Sequence, residues 1–205
     1  IFSCGLETIG VRVPFLKSAR ELIRLAGCPI AAPSANISGK PSLTRYTDVV
    51  EAFGGVVDGI MEGPDCQHGI ESTVLDLSGE VPVYIRPGVV SIEELIEVFP
   101  NLKKWEGGQI VSPGMKYRHY APEGNVVILS DLKNIDTDAA QIGFDLEMDA
   151  ALNHRVLDNV QYAKDLYAFF VRCDKSRVKK VYCQAPREGV LYQALLHRLE
   201  KAAQR

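Results

Sequence analysis

Residues 32–44 form a dense group of small hydroxyl and amide side chains, A-P-S-A-N-I-S-G-K-P-S-L-T. Ser34, Asn36 and Thr44 can supply short hydrogen bonds, and their small neighbours let a ligand approach the backbone. The group directly follows the apolar run 29–32, which is predicted to be a buried strand. Ligand sites of α/β proteins lie beyond strand ends, so this position favours a binding loop. By composition alone, a turn-rich loop without a ligand is the commoner interpretation.

A second candidate group lies in a predicted β-hairpin. The apolar runs 69–77 and 81–88 flank a short polar turn that contains glycine. Ser72 lies near the beginning of the first strand, and Arg86 closes the second strand before a Pro-Gly turn. An arginine at a strand end can present its planar fork to a phosphate or a carboxylate. A surface salt bridge is the competing interpretation.

A third pair of candidates lies in residues 8–14, T-I-G-V-R-V-P. Their alternation predicts a strand that ends at the proline. Thr8 and Arg12 would then lie on the same face, because residues four apart point the same way along a strand. The alternative is a half-exposed edge strand with its polar residues outward.

The fourth candidate is the run S-P-G-M-K-Y-R-H-Y-A-P at 112–122. Its two prolines exclude an ordinary helix or a central strand. Ser112 opens the run, and residues 116–120 hold two cations, two tyrosines and a histidine that could face a polyanionic ligand. A stiff interdomain linker whose tyrosines cover apolar surface explains the same composition.

Helices and strands around these candidates predict an α/β protein. Ser91 and Glu94 form a capping box for the last helix before the linker. Beyond the linker, strands alternate with helices, which predicts a small parallel sheet without the GxGxxG fingerprint of a dinucleotide site. Helices are predicted at 15–26, 47–53, 92–99, 160–173 and 189–203, and further strands at 56–61, 125–129, 141–146 and 178–183.

Composition excludes several classes of function. The net charge of −3 argues against a broad nucleic-acid surface, and no apolar run reaches the length of a membrane span. Five scattered cysteines form no CxxC pair, so we expect reduced thiols and a cytoplasmic location. Cys66 and His68 are two residues apart, but without a third group they do not predict a metal site or a catalytic dyad.

Four segments occur in the order found in one known family: S-A-N-I-S-G-K-P-S, G-I-E-S-T-V, I-R-P-G and the 112–122 run. Together they resemble the YrdC-like catalytic domain and linker of the two-domain threonylcarbamoyl-AMP synthases. The resemblance implies a YrdC-like, twisted mixed-sheet α/β domain over residues 1–100 and an interdomain linker over 101–124. A small Rossmann-like parallel α/β domain is implied over 125–205.

The resemblance also implies an activity. The family converts L-threonine, bicarbonate and ATP into threonylcarbamoyl-AMP and pyrophosphate, for the modification of adenosine 37 in tRNA. ATP is then a substrate, and Mg²⁺ is expected to arrive with it, since no carboxylate cage is visible. Implied partners are the tRNA-modifying transferase proteins that take the product downstream. Direct tRNA binding is compatible with the family but not required.

Individual residues carry over by their place in the matching segments. The resemblance assigns contacts with L-threonine to Arg12, Ser34 and Ser72. It assigns contacts with ATP to Thr8, Asn36, Thr44, Arg86 and Ser112. No catalytic nucleophile and no protein metal ligand is assigned, which suits chemistry that depends on positioning and charge stabilisation.

The chain departs from the family in one respect. The family's lysine and arginine that grip the triphosphate lie upstream of the region that begins at Ile1. We therefore expect the N-terminal part of the catalytic domain to be missing from these 205 residues. Two alternatives stay open: an RNA-binding module of tRNA or ribosome metabolism, and a carbamoyl-transfer enzyme with another acceptor.

Overall fold

The first half of the chain builds a small mixed sheet with three helices. The computed structural model describes residues 7–107, 121–146 and 150–204. Strand β2 is central in the sheet, antiparallel to β1 and parallel to β3. The elements in chain order are α1 (Lys17–Ala26), α2 (Tyr46–Phe53), β1 (Val74–Asp76), β2 (Val83–Arg86), α3 (Ile92–Val98) and β3 (Lys103–Lys104).

Local signals placed these helices and the hairpin correctly. Gly27 ends α1 in the left-handed conformation at φ 66°, which glycine adopts without steric cost. Ser91 and Glu94 make both bonds of the predicted capping box at the start of α3. β1 and β2 pair as predicted, with an irregularity in register between Val74 and Leu75. The predicted hairpin is therefore confirmed, although its strands are shorter than the apolar runs.

Three strands predicted in this half are wrong. Residues 8–14, 29–32 and 56–61 have no regular secondary structure. Val11 and Val13 are 84% and 79% exposed. These apolar side chains of the 8–14 run therefore pack against none of the residues that the structure describes. A strand needs a neighbour to take its backbone hydrogen bonds, and among the described residues no sheet edge pairs with these runs.

The second half is a parallel sheet covered by helices, as predicted. Its four strands run in the order β4-β7-β5-β6, and every pairing is parallel. Asp158 caps α4 by accepting a hydrogen bond from the Gln161 N–H. The elements are β4 (Asn125–Leu129), β5 (Ala140–Gly143), β6 (Leu152–Arg155), α4 (Asn159–Lys175), β7 (Lys180–Gln184) and α5 (Tyr192–Ala203).

One element of this sheet was missed by the sequence prediction. The edge strand β6 has alternating half-buried and exposed residues, and it follows a short polar stretch that carries no strand signal of its own. The other differences are shifts of the ends: β5 stops at Gly143, and α4 extends on both sides of the predicted helix.

The main hydrophobic core lies in this second half. All buried members of the cluster come from residue 121 onward, and helix α4 contributes the largest of them, including Tyr162, Phe169 and Phe170. Ile70, from the first half, packs against the same cluster. The mixed sheet followed by a parallel sheet confirms the predicted α/β class. Of the helices that the structure describes, none has both the length and the apolarity to cross a bilayer.

Candidate active site

The end of strand β2 brings two predicted ligand residues together. The Arg86 guanidinium donates two hydrogen bonds to the main-chain carbonyl oxygen of Ser72, from Nη2 at 2.9 Å and from Nε at 3.2 Å. Arg86 is half-buried, whereas Ser72 is exposed. A cation therefore lies against the backbone of a hydroxyl-bearing residue, an arrangement that suits an anionic ligand with polar groups.

The turn after β2 is locked onto the segment that carries Ser72. Gly88 is buried, and a Cβ added there would lie 2.5 Å from the carbonyl carbon of Ser72. The Thr73 hydroxyl donates to the Val90 carbonyl oxygen at 2.8 Å and accepts from the Val90 N–H at 3.2 Å. Only glycine fits at position 88 without moving one of the two segments.

The loop that follows residues 29–32 is held by its own polar groups. The Leu43 N–H donates to the Ala35 carbonyl oxygen at 3.0 Å, which closes the loop. The Asn36 amide donates to the Ile37 carbonyl oxygen at 2.9 Å and accepts from the Ser42 hydroxyl at 3.5 Å. Thr44 is only 9% exposed, and its carbonyl oxygen accepts from the Cys66 N–H at 2.9 Å.

Three other predicted ligand residues lie on the surface of the first half of the chain. Thr8, Arg12 and Ser34 are exposed. The shared strand face predicted for Thr8 and Arg12 is wrong, because no strand forms there. Their ligand roles stay predictions.

The run at 112–122 lies largely outside the described residues. Ser112 and residues 116–120 belong to the part that the structure does not describe. The end of the run returns beside the 32–44 loop, since Lys40 forms ion pairs with Glu123 and, at 3.4 Å, with Asp174. Residues 38–40 and 121–123 line a cleft of about 310 Å³. The interpretation of 112–122 as a lid stays a prediction.

Helices α4 and α5 contribute groups to this region that the sequence prediction missed. The Arg198 side chain bonds to Glu71, and the Tyr167 hydroxyl donates to the Glu71 carboxylate at 3.0 Å. His197 lies beside Arg198 on α5, with its Nδ1 3.0 Å from the Arg198 Nη1. Burial, helped by the positive charges of Arg198, Lys201 and Arg86, lowers the pKa of His197 to about 4, although the Glu71 carboxylate acts in the opposite direction. His197 is therefore neutral at pH 7. No sequence motif could have predicted that these residues of α4 and α5 lie near Glu71, because they are far from it in the chain.

A larger cleft, of about 560 Å³, lies at the amino ends of the parallel strands. It contains none of the predicted ligand residues; its lining includes Asp136, Arg177 and Lys180. Ligands of parallel α/β sheets bind at the carboxyl ends of strands, so we do not place the active site there.

In the described part of the chain, no group of three or more His, Cys, Asp or Glu side chains could hold a metal ion.

Comparison with known proteins identifies relatives of both halves. Residues 1–88 match the telomere recombination family (Sua5_yciO_yrdC), and residues 90–204 match the family of the threonylcarbamoyl-AMP synthase C-terminal domain (Sua5_C). The threonylcarbamoyl-AMP synthase of Pyrococcus abyssi is 43% identical over 135 residues, 63% of this chain and 40% of that protein. The enzyme of the same name from Bacillus subtilis is 42% identical over 131 residues, 62% of this chain and 38% of that protein.

A solved structure matches almost the whole chain. The crystal structure of P. abyssi Sua5 complexed with L-threonine superposes with a TM-score of 0.87 at 33% identity. The match covers 98% of this chain and 65% of that one. The sequence matches cover no more than 40% of the length of the two curated relatives, and the structural match covers 65% of the solved chain. These matches confirm the resemblance drawn from the four motifs.

Proposed function

This chain belongs to the two-domain Sua5 family of threonylcarbamoyl-AMP synthases, and from this membership we propose that its protein makes L-threonylcarbamoyl-AMP from L-threonine, bicarbonate and ATP. Pyrophosphate is the second product. The relatives carry the name of this activity, and one neighbouring structure is described as a complex with L-threonine. The domain bounds 1–100, 101–124 and 125–205 are part of the proposal.

The observation that carries the proposal is the contact between Arg86 and Ser72. One is a proposed ATP contact and the other a proposed L-threonine contact, and 2.9 Å separates the Arg86 Nη2 from the Ser72 carbonyl oxygen. A reaction between a threonine derivative and the α-phosphate of ATP requires both substrates at one place. We propose the end of β2 as that place.

The proposed chemistry needs no covalent intermediate with the protein. The threonine amine attacks the carbon of carbon dioxide and loses a proton, or attacks the carbon of bicarbonate with loss of water, and in either case becomes a carbamate. A carbamate oxygen then attacks the α-phosphorus, the bond to the β-phosphate oxygen breaks, and pyrophosphate leaves. Charge builds on phosphate oxygens during this step, and Arg86 is proposed to offset it.

The remaining ligand roles follow the resemblance. Arg12 is proposed to hold the threonine carboxylate through a two-pronged pair, together with Ser34. Thr8, Asn36, Thr44 and Ser112 are proposed to contact ATP. Mg²⁺ bound to the phosphates would supply further charge neutralisation.

Several wider features belong to the same proposal. The product passes to tRNA-modifying transferase proteins, which use it to modify adenosine 37 of tRNA in the cytoplasm. Direct tRNA binding is not required for the synthase step. The net charge of −3 supports a small-molecule enzyme over an RNA-binding module.

Pyrophosphate release by the full-length protein tests the activity. We expect release that depends on ATP, L-threonine and bicarbonate, each omitted in turn. Serine and carbamoyl phosphate serve as alternative substrates, which separates this enzyme from a carbamoyl transferase with another acceptor. Release that continues without both threonine and bicarbonate would overturn the proposal.

Two arginine substitutions test the assignment of substrates to residues. We expect Arg12→Ala to weaken L-threonine binding and Arg86→Ala to weaken ATP binding, each by roughly 10- to 150-fold, since a charge-assisted hydrogen bond contributes about 1.5–3 kcal/mol. Calorimetric titration with each ligand measures both. Lys103→Ala, which removes an exposed cation from the same sheet, is the control. Normal binding of both ligands by both arginine variants would refute the assignment.

A further inference from the structure

Residues 69–73 are enclosed by packed backbone on two sides. On one side lies helix α4: Gly69 is buried at φ 67°, and an added Cβ would be 2.5 Å from the carbonyl oxygen of Ala163. On the other side lies the turn after β2, where Gly88 leaves equally little space beside Ser72. The segment proposed to contact threonine is therefore held between the second domain and the hairpin.

Glu71 is the point at which the second domain binds this segment. Arg198 is 2% exposed, and its Nε donates to the Glu71 carboxylate at 2.6 Å. Its Nη2 donates to the main-chain carbonyl oxygen of Glu71 at 3.2 Å. The Tyr167 hydroxyl donates to the carboxylate as well. Arginine thus holds both the side chain and the backbone of one residue through two separate nitrogens of its planar guanidinium.

Glu71 is connected directly to the two proposed ligand residues, Ser72 and Arg86. Glu71 precedes Ser72, whose carbonyl oxygen accepts both hydrogen bonds from Arg86. The His197 Nδ1 supports Arg198 from the other side, 3.0 Å from its Nη1. A buried ion pair is sensitive to the loss of either partner, because the remaining charge loses its compensation.

We propose that Glu71, Arg198 and Tyr167 form a positioning set, by which the second domain fixes the backbone of Ser72 for the threonine and ATP contacts. Here the second domain acts on residues 69–73 of the catalytic domain itself. These three residues touch neither substrate; they act through Ser72 and Arg86. The functional consequence rests on the proposed function, whereas the ordering of residues 69–73 does not.

The main test substitutes Arg198 in the full-length protein. Arg198→Met removes the buried cation but keeps an unbranched side chain in the core, and Tyr167→Phe removes only one hydroxyl. Lys175→Met is the matched control: Lys175 also joins the two halves, through ion pairs of 2.7 Å with Asp48 and Glu51, but its side chain is 45% exposed. Such exposed pairs contribute little.

Two readouts separate positioning from general stability. In the ligand-free protein, Arg198→Met is expected to speed amide hydrogen exchange in residues 69–73 by about tenfold, and Tyr167→Phe by about two- to fivefold. In the pyrophosphate assay, Arg198→Met is expected to raise the KM for L-threonine by about tenfold with a smaller change in kcat. Lys175→Met should match the parent in both.

The outcomes decide the proposal even if Arg198→Met does not fold, because Tyr167→Phe retains the ring in the core. Parent-like exchange in residues 69–73 of the folded variants would overturn it. Faster exchange with an unchanged KM would overturn the functional part, and equal effects in Lys175→Met would point to general docking instead. If the parent releases pyrophosphate without threonine, the proposed function fails, while the exchange measurement still decides whether the set orders residues 69–73.

Discussion

Gly69 offers a sharp test of how closely the two halves pack. Gly69→Ala places a methyl group 2.5 Å from the Ala163 carbonyl oxygen, in a residue that already has φ 67°. Gly27→Ala is a matched control, since Gly27 has φ 66° but no heavy atom within 4 Å of an added Cβ. Both substitutions carry the same backbone strain, and only Gly69→Ala adds a collision with helix α4.

The magnitude follows from two costs. An alanine in the left-handed region costs about 1–2 kcal/mol, which should be the whole effect of Gly27→Ala. Forcing an extra methyl into a packed interface costs about 1–3 kcal/mol more. Gly69→Ala should therefore lower the free energy of unfolding by about 2–5 kcal/mol in total.

Urea denaturation followed by circular dichroism at several wavelengths measures the two variants and the parent side by side. The slope of the transition shows whether the same surface is exposed in each case. Free energies of unfolding that agree within about 0.5 kcal/mol for the two variants would refute the close packing of residue 69 on α4.

Two further substitutions probe local features. Ser91→Ala should destabilise α3 by about 1 kcal/mol, because it removes the capping hydrogen bond to the Glu94 N–H; urea denaturation that shows no loss would contradict the cap. His197 has a folded pKa of about 4 against 6.5 for the free side chain, so protonation favours the unfolded chain. Stability should fall as pH drops from 6.5 towards 4, and His197→Gln should flatten that slope in urea titrations. The groups facing His197 are Arg198, Lys201, Arg86 and Glu71, and parallel curves for parent and variant would exclude His197 as the cause.

Sequence patterns predicted the elements whose signals are local. The capping box at Ser91, the glycine stop at Gly27 and the hairpin of β1 and β2 all depend on residues close together in the chain. Three of the four strands of the parallel sheet were found for the same reason, since a buried strand needs a continuous apolar run. Four ordered motifs were enough to identify the family, because each contains several specific residues at fixed spacing.

Partners distant in the chain decided the rest. The runs at 8–14, 29–32 and 56–61 have strand-like alternation or apolarity, but a strand forms only beside another strand, and sequence spacing cannot show whether one is there. Conversely, β6 has a weak pattern of its own and forms because β5 lies next to it.

The candidate site likewise has features that the sequence predicted and features that only the tertiary structure determined. Sequence alone identified Ser72 and Arg86 as residues of the right type at a strand start and a strand end. The tertiary structure determined that Arg86 bonds the backbone of Ser72, and that Glu71 is held by Tyr167 and Arg198 from a different domain. A hydrogen bond or ion pair between residues so far apart in the chain depends on how the domains dock, because no local preference of either residue encodes its partner.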